Sequence, residues 1–379
     1  MKKKLTIGIT CYPSVGGSGI VATQLGIELA HRGYDVHFIS YERPFRLAER
    51  TKNIYFHKVP VSTYQLFRYP DYTLPLAVTM ADVHQKFHLD LMHVHYAVPH
   101  ATAAVLARQI IVERNKKAFR IVTTLHGTDI TLVGRDASLH PIICYSIEQS
   151  NGITAVSKSL ADETKEIFKI SKHIEVIHNF YTPKKITKSR DVIRRQLKVG
   201  PDDFVISHAS NLRPVKRIPD LLKITANVRK KYPVKLLVLA GDSFNPYRAL
   251  VAKYNLTKHV IVKNDVSDVE NYLSASDVGL YTSDHESFGM SILETMSYGR
   301  AVLATRAGGV PEVVIHGKTG LLYEVGDVSG FTAGITKLIN ETKFRQQLAD
   351  NGLQRAKTFF STNAMVDRYI EYYEQAMSK

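Results

Sequence analysis

Short apolar runs alternate with amphipathic stretches along the first half of the chain. The runs predict strands at 5–11, 36–40, 54–59, 91–95, 121–125, 153–156 and 174–177. Between several of them, apolar residues recur at helical spacing, which predicts helices at 20–32, 74–87, 101–113 and 142–150. Strands that alternate with helices are typical of a parallel sheet with helices on its faces, so we predict a doubly wound α/β unit.

The periodicity breaks around 183–199, where charged residues accumulate, and then starts again. The second half predicts strands at 205–209, 236–240, 260–262, 278–281 and 301–304, each followed by a helix or a turn. A chain of 379 residues is long for one hydrophobic core. We therefore predict an α/β protein of two Rossmann-like domains, 1–182 and 183–360, with a cleft between them. The final segment, 361–379, is expected to return to the first domain as a helix.

Composition adds few constraints. A hydrophobic share of 44% suffices for two cores, no run of 18 apolar residues occurs, and the basic start leads into a strand pattern. The two cysteines, Cys11 and Cys144, lack metal-ligand spacing, so neither a disulfide framework nor a zinc site is indicated. We expect a cytoplasmic protein.

The formal net charge of +15 raises the question of a nucleic-acid partner. The basic residues are spread along the chain, however, without interleaved aromatic residues. The densest cluster consists of Lys184, Lys185, Lys188, Arg190, Arg194 and Arg195. Its place in the expected linker favours a solvated surface over an anionic membrane or nucleic acid, and the charge also suits small anionic ligands.

The segment Glu286-Ser-Phe-Gly-Met-Ser-Ile-Leu-Glu294 is the most informative motif. It joins a predicted strand to a predicted helix at 290–298, and ligands of open α/β sheets bind at such strand ends. Gly289 lets the backbone approach a ligand closely. We expect the amides of 288–291 (Phe288, Gly289, Met290 and Ser291) to face a diphosphate at the positive end of the helix.

The two carboxylates of this motif suit a sugar nucleotide. Glu286 would accept hydrogen bonds from sugar hydroxyls, and Glu294 would accept from a ribose diol. Two solvated glutamates are the plainer interpretation, but the neighbouring turn and helix favour a binding role.

Two further turns of the second half follow strands. Ser210-Asn-Leu-Arg-Pro-Val-Lys-Arg217 carries Arg213 and Lys216, which could neutralise a diphosphate; a solvated polar turn is the alternative. The turn Gly308-Gly309 is equally compatible with a ligand contact and with an ordinary chain reversal.

The first strand leads into a glycine-rich turn at 13–19, and Gly17-Ser-Gly-Ile-Val-Ala22 satisfies the dinucleotide fingerprint. With Glu42 after the second strand, an NAD-dependent oxidoreductase is an open alternative. The same turn would also allow the amides of Gly16 and Gly17 to approach the phosphate of a nucleotide held by the second domain. A P-loop is excluded, because no Gly-Lys-Ser/Thr follows.

Histidines mark two strand ends of the first domain. His126 directly follows 121–125, where it could bind or polarise a sugar, with Asp129 as its orienting partner or a helix cap. His93 and His95 share one side of a strand, which is compatible with a pair of metal ligands. No third ligand occurs at a suitable spacing, which favours buried, hydrogen-bonded histidines. Tyr96 is left at the strand end.

These residues, in this order, resemble the retaining glycosyltransferases of family four, which have the two-domain GT-B architecture. The resemblance covers nearly the whole chain and rests on Gly16-Gly17, His126, Lys216, Glu286 to Glu294 and Gly308-Gly309. One difference concerns the position five residues before the lysine. Many relatives carry Gly-Arg there, whereas this chain has Ser210-Asn211, with Arg213 two positions later. Whether Asn211 or Arg213 replaces the usual arginine stays open.

Three segments, 10–19, 93–100 and 124–130, are similar to the family members that transfer N-acetylglucosamine from its uridine diphosphate carrier to L-malate, the first step of bacillithiol biosynthesis. The resemblance implies UDP-GlcNAc as donor, a hydroxy-dicarboxylate acceptor, retained anomeric configuration, the leaving phosphate as base, and no metal or other cofactor. Another small anionic acceptor, such as inositol phosphate, is the nearest alternative. A homo-oligomer is possible, and no nucleic-acid partner is expected.

The resemblance also implies roles for individual residues. The catalytic group is Glu286, His126, Lys216 and Arg213. The donor contacts are Gly16, Gly17, Asn211, Arg213, Lys216, Phe288, Gly289, Met290, Ser291 and Glu294. The acceptor contacts are Ser18, Tyr96 and Thr124, with Arg135 as the candidate cation for the carboxylates.

Overall fold

The computed structural model of the chain describes residues 4–13, 16–45, 47–49, 51–61 and 72–378. The chain divides into two units, Met1–Asn179 with Asn363–Lys379 and Phe180–Thr362. The sequence placed these limits at 182/183 and 360/361. The second unit begins at Phe180, three residues before the predicted limit. Phe180 and Tyr181 are buried, and the Tyr181 hydroxyl lies 2.7 Å from that of Tyr298, which belongs to the second unit.

A seven-stranded parallel sheet forms the centre of the first unit, in the order β3-β2-β1-β4-β5-β6-β7. Its strands are β1 (Thr6–Thr10), β2 (Asp35–Ser40), β3 (Ile54–Lys58), β4 (Leu91–His95), β5 (Arg120–Leu125), β6 (Gly152–Ala155) and β7 (Glu175–Val176). Its helices are α1 (Gly17–His31), α2 (Thr73–Phe87), α3 (Thr102–Glu113), α4 (His140–Glu148) and α5 (Lys158–Phe168). The inner strands are buried along almost their whole length, as the apolar runs predict.

The second unit repeats this plan with a six-stranded parallel sheet in the order β10-β9-β8-β11-β12-β13. Its strands are β8 (Phe204–Ser210), β9 (Val234–Ala240), β10 (Val260–Asn264), β11 (Val278–Tyr281), β12 (Ala301–Thr305) and β13 (Leu321–Tyr323). Its helices are α6 (Arg190–Gln196), α7 (Ile218–Arg229), α8 (Arg248–Lys253), α9 (Val269–Ala275), α10 (Met290–Ser297), α11 (Val310–Val313), α12 (Val328–Asn340) and α13 (Thr342–Phe359). Strand β13 escaped sequence analysis because three residues carry too little periodicity.

The tyrosine-rich helix α14 (Thr362–Ser378) packs on the first unit. The Tyr372 hydroxyl donates to the carbonyl of Ile153 (2.9 Å) and accepts from its amide (2.8 Å). The Tyr373 hydroxyl lies 2.7 Å from His93 Nδ1. The last helix is therefore tied to strands β6 and β4 by buried polar groups as well as by apolar packing.

The segment 183–199 is not a linker, which corrects the sequence interpretation. It belongs to the second unit and contains helix α6. Arg190 and Arg194 donate to the two carboxylate oxygens of Asp277, at 2.7 and 3.3 Å. These two members of the basic cluster thus hold α6 against the start of β11, so only part of the cluster is a solvated surface.

In each sheet the strand order reverses beside the first strand of the unit. The reversal lies between β1 and β4 in the first unit and between β8 and β11 in the second. The loops at the carboxyl ends of these strand pairs diverge to opposite faces of the sheet and leave a crevice where ligands of doubly wound folds bind. Among the described residues, no helix combines the length and apolar character needed to cross a membrane.

Candidate active site

The crevice of the second unit brings together the two motifs that the sequence singled out. Lys216 lies in the turn after β8, and Glu286 lies in the loop after β11. Lys216 Nζ is 2.5 Å from Glu286 Oε1, and both side chains are only 18% exposed. Opposite charges at this distance in a partly desolvated crevice form a strong, oriented pair. The candidate site therefore has a cation and a carboxylate in direct contact before any ligand is present.

Hydrogen bonds tie the Glu286 loop to the Lys216 turn. Thr282 Oγ1 donates to the carbonyl of Lys216 (2.9 Å), and the Asp284 amide donates to the carbonyl of Val215 (2.9 Å). On the other side, Thr305 Oγ1, at the end of β12, donates to the carbonyl of Ser283 (2.5 Å). Because hydrogen bonds from both sides hold the loop, the backbone position of Glu286 is fixed.

The Gly308-Gly309 turn supports Glu286 from behind. The Gly309 amide donates to the Glu286 carbonyl at 2.8 Å. Gly308 has φ +53°, and a Cβ built there would lie 2.1 Å from the same carbonyl oxygen. The sequence left this turn open between ligand contact and simple chain reversal. The structure gives it a third role, since only glycine permits this close backbone approach.

Ser283 is a part of the site that sequence reasoning missed. Its Oγ donates to Glu286 Oε1 at 2.8 Å, so this oxygen accepts from both Ser283 and Lys216. Among the residues that the structure describes, Oε2 of Glu286 has no hydrogen-bond partner. The only sequence signal was the spacing, because a serine three residues before an acceptor can bond to it locally within a loop.

Helix α10 begins where the diphosphate was expected. Gly289 precedes it with φ +98°, a left-handed conformation that strains other residues, and no side chain caps the helix. The amides of Ile292 and Leu293 donate to the Gly289 carbonyl. Among the described residues, the first two amides, of Met290 and Ser291, have no acceptor. They form a positive helix end suited to an anion.

Buried rings and hydroxyls support this helix start. Phe288 is 2% exposed and packs edge-on against Phe360, with ring centroids 5.6 Å apart. The Tyr281 hydroxyl, at the end of β11, donates to the Ser291 carbonyl at 2.9 Å and lies 2.5 Å from Thr295 Oγ1. Burial raises the pKa of Tyr281, so the hydroxyl stays protonated as a donor. The Phe288 side chain thus stabilises the start of α10 by packing. Its backbone amide is the part of the residue that could contact the diphosphate.

Glu294 lies on α10, where its side chain is half-buried. The negative charges of Glu294 and Glu286 make smaller contributions, after burial, to the raised pKa of Tyr281. The ribose contact of Glu294 stays a prediction.

The structure separates the cations of the β8 turn. Lys216 is paired with Glu286, whereas Arg213 is exposed and Asn211 is half-buried. Behind them, His208 donates from Nδ1 to the Leu280 carbonyl and accepts from Ser210 through Nε2, both at 2.8 Å. Of the predicted diphosphate contacts in this turn, Lys216 has the best-defined position, and those of Asn211 and Arg213 stay predictions.

The crevice of the first unit is less charged. Ser18 Oγ, in the first turn of α1, lies 2.5 Å from the Tyr96 hydroxyl at the end of β4, so this hydrogen bond spans the switch point. Gly16 directly precedes α1 and Gly17 is its first residue, so the helix begins three residues before the predicted start at 20 and Gly17 lies in its first turn rather than in the preceding turn. Nearby, burial raises the pKa of Cys11 to about 12, and its thiol therefore stays neutral.

His126 occupies the end of β5 with a different partner from the one expected. Its Nε2 lies 2.8 Å from His95 Nδ1. The Asp129 carboxylate instead accepts from the amides of Ala97 (2.9 Å) and Gly127 (3.1 Å), so of the two roles left open for it, orienting partner of His126 or cap, these bonds favour the capping of backbone amides. Burial lowers the pKa of His126 to about 3, so the ring is neutral, and within the described residues its Nδ1 has no partner.

Thr124 is a second correction. Its side chain is fully buried, and its Oγ1 lies 2.7 Å from His93 Nε2 and 2.6 Å from Thr154 Oγ1. A hydroxyl with two internal partners is not available to an acceptor substrate. His93 uses both ring nitrogens, for Thr124 and Tyr373, as expected of a buried, hydrogen-bonded histidine.

Arg135 ends the short 3₁₀ turn Val133–Arg135 beyond β5 and is exposed. Its predicted contact with acceptor carboxylates stays a prediction. Within the described residues, no group of three or more His, Cys, Asp or Glu side chains is arranged to hold a metal ion.

Comparison with known proteins decides the family. Residues 15–185 match the model of Glycosyltransferase Family 4, and residues 189–355 match that of Glycosyl transferases group 1. The chain is 42% identical over 373 residues to the N-acetyl-alpha-D-glucosaminyl L-malate synthase of Bacillus anthracis, covering 98% of this chain and 97% of the relative. This chain belongs to glycosyltransferase family 4. It is therefore a glycosyltransferase, and the oxidoreductase interpretation of Gly17 to Ala22 is wrong.

Solved structures of glycosyltransferases show the same fold. Sucrose-phosphate synthase from Thermosynechococcus elongatus superposes with a TM-score of 0.81 at 20% identity and covers 99% of this chain and all of its own. HepE of Anabaena, solved in complex with UDP-glucose, gives a TM-score of 0.80 at 19% identity and covers 98% of this chain and all of its own. The predicted GT-B class, two Rossmann-like units, is confirmed.

Proposed function

We propose that this family 4 glycosyltransferase moves N-acetylglucosamine from UDP-GlcNAc to the hydroxyl of L-malate with retention of the anomeric configuration, the first step of bacillithiol biosynthesis. The observation that carries the donor half is the Lys216–Glu286 pair at the switch point of the second unit, beside the start of α10. The malate half is supported by the similarity to the Bacillus anthracis synthase across nearly the whole chain.

The donor diphosphate develops negative charge as the glycosidic bond breaks, so its stabilisation lowers the barrier. Lys216 and the free amides of Met290 and Ser291 are the donors proposed for it, with Arg213 and the Gly16-Gly17 turn as additional contacts. Each such donor contributes on the order of 1.5–3 kcal/mol. The departing phosphate, once charged, acts as the base for the acceptor hydroxyl.

The sugar and the ribose are assigned to the carboxylates. Glu286 Oε2 accepts from a hydroxyl of N-acetylglucosamine, and Glu294 accepts from the ribose diol. His126 is proposed to contact the 6-hydroxyl side of the sugar through its free Nδ1. A neutral imidazole suits this role, since it adds no positive charge beside a neutral hydroxyl.

The acceptor is assigned to the crevice of the first unit. Ser18 and Tyr96 already share a hydrogen bond there and can each redirect one to a small hydroxy acid. Arg135 is the proposed cation for the acceptor carboxylates. A site that holds both carboxylates should disfavour lactate, which has only one carboxylate and therefore makes fewer charged hydrogen bonds in the site.

The experiment is product analysis. The protein is incubated with UDP-GlcNAc and, separately, L-malate, lactate or inositol phosphate; products are identified by mass spectrometry, and the anomeric configuration by NMR. We expect an α-linked N-acetylglucosaminyl malate and a specificity constant for malate at least about tenfold above that for lactate. Equal constants for malate and lactate would refute the dicarboxylate site, preference for inositol phosphate would reassign the acceptor, and a β product would refute retention.

We also propose that turnover requires no divalent metal. The positive groups around the proposed diphosphate position, Lys216 and the start of α10, can neutralise its charge without one. Rates measured in EDTA should equal those in magnesium. Complete loss of activity in EDTA, restored by magnesium or manganese, would overturn this proposal.

A further inference from the structure

We propose that Ser283 is a positioning residue for the donor sugar, which it serves by fixing which oxygen of Glu286 faces the ligand. This inference rests on the proposed function of Glu286 and deepens it. Ser283 lies three residues before Glu286 in the loop after β11 and is 1% exposed, so its own hydroxyl is not a ligand contact.

The need for such a residue follows from the carboxylate itself. The terminal torsion of a glutamate is broad and nearly two-fold, so an unrestrained carboxylate rotates between orientations. Oε1 of Glu286 accepts from Ser283 Oγ at 2.8 Å and lies 2.5 Å from Lys216 Nζ. Two donors that converge on one oxygen hold the plane of the group and leave Oε2 as the oxygen presented to the ligand.

Of these two donors, only Lys216 has a second proposed ligand; within the described residues, the Ser283 hydroxyl donates to Glu286 alone. Lys216 is also proposed to bind the diphosphate, which competes with Glu286 for the ammonium group when the donor arrives. The Ser283 hydroxyl donates to Glu286, while its carbonyl accepts from Thr305 Oγ1 and anchors the loop. We infer that Ser283 keeps Glu286 oriented in the loaded site, at the moment when the lysine turns toward the phosphate.

Ser283→Ala removes the hydroxyl and leaves the backbone anchor intact, so it separates orientation from loop structure. The distinguishing readout is a comparison of the affinities for UDP and UDP-GlcNAc, because only UDP-GlcNAc carries the N-acetylglucosamine that Glu286 is proposed to bind. We expect the dissociation constant of UDP to stay within about twofold, while that of UDP-GlcNAc rises and kcat/KM falls by about tenfold, as for loss of one hydrogen bond to a charged group.

A matched control is Ser207→Ala. Ser207 is another fully buried serine of the same unit, and its hydroxyl donates to Ser276 Oγ and to the Val278 carbonyl, away from Glu286. This variant should bind both ligands like the unsubstituted protein. Loss of affinity for UDP-GlcNAc in Ser207→Ala comparable to that in Ser283→Ala would show a general packing effect and overturn the proposal.

A double-mutant cycle tests whether Ser283 acts through Glu286. On the Glu286→Ala background, Ser283→Ala should change kcat/KM by less than about twofold, because the group that it orients is gone. An equal loss on both backgrounds, or an equal loss of UDP and UDP-GlcNAc affinity, would overturn the positioning role. If the unsubstituted protein bound neither ligand in calorimetry, the proposed function would fail instead, so the two failures are distinguishable.

Discussion

The two switch-point crevices of this glycosyltransferase have opposite chemistry on the same fold. The crevice of the second unit contains a close ion pair, Lys216 with Glu286, beside an uncapped helix start. The crevice of the first unit contains hydroxyl groups and neutral imidazoles, represented by Ser18, Tyr96 and His126. Doubly wound sheets supply the position of a site, and the loop residues decide which ligand it suits.

The contrast is reinforced below the surface. In the first unit, burial lowers the pKa of His93, His100 and His126 to between about 3 and 4, so these three rings are uncharged at neutral pH. In the second unit, burial also lowers the pKa of His208, to about 4, but the groups in contact with the site, Ser283 and Gly308, position the charge of Glu286. The charged crevice therefore suits the anionic donor, and the neutral one suits hydroxyl-bearing groups.

The largest effect should come from Lys216→Ala. It removes the cation proposed for the leaving diphosphate and leaves Glu286 without its ionic partner. Turnover should fall by about a hundred- to a thousandfold, the usual cost of a donor that stabilises developing negative charge. Steady-state kinetics with UDP-GlcNAc and malate measure this. A loss below fivefold would remove the lysine from the catalytic group.

The second-largest effect is expected for Glu294→Ala. Loss of a hydrogen bond from the ribose to a charged carboxylate should weaken UDP binding by about ten- to a hundredfold. Calorimetry with UDP measures this directly. Unchanged affinity would show that Glu294 is not the ribose contact. The charged crevice would then be assigned only to the diphosphate and the N-acetylglucosamine.

Gly308→Ala should lower turnover by about tenfold through a displaced Glu286, whose carbonyl lies 2.1 Å from the added Cβ. The matched control is Gly317→Ala. Gly317 also has positive φ, +73°, but a Cβ there meets nothing within 4 Å, so it shares the backbone strain without the clash. Thermal unfolding and kinetics of both variants separate the two effects. Equal kinetic losses would attribute the Gly308 effect to strain alone.

Acid should destabilise the first unit before the second, because burial lowers the pKa of several histidines in the first unit, including His93, His100 and His126, whereas the second contributes His208. His93 and His126, neutral in the fold down to about pH 3, bind protons near pH 6.5 when unfolded, so stability is complete above that pH and falls as the pH drops toward 3. At pH 5 one such histidine costs on the order of 2 kcal/mol. Hydrogen exchange at pH 7.5 and 5, corrected for intrinsic rates, should show greater loss of protection in β4 and β5 than in β9. Equal losses would contradict the contrast.

Much of the fold follows from sequence because buried parallel strands leave unambiguous apolar runs. Strands β4 (Leu91–His95) and β11 (Val278–Tyr281) begin and end where the pattern predicts. The sequence did not predict helix α6, because its charged residues resemble those of a linker. Two of them, Arg190 and Arg194, pair with Asp277, which is distant in sequence. Pairing across the chain is a tertiary property that local periodicity does not contain.

The site shows the same division. Glu286, Gly289 and Lys216 could be proposed from the sequence because of their residue types and their places after strands, and the structure brings Glu286 and Lys216 into contact. Thr124 was misassigned, because position after a strand does not reveal that its hydroxyl is used by His93. The supporting roles of Ser283 and His95 depend on contacts between side chains, which appear only in three dimensions.

The division of labour between the crevices is tested most directly by titrating UDP into Lys216→Ala and His126→Ala. UDP carries the ribose and the diphosphate but lacks the N-acetylglucosamine that His126 is proposed to contact, so only the charged crevice should sense it. We predict that the dissociation constant rises by at least about tenfold in Lys216→Ala and stays within twofold in His126→Ala. The opposite pattern, with UDP binding lost in His126→Ala and preserved in Lys216→Ala, would contradict the assignment of the donor to the second unit.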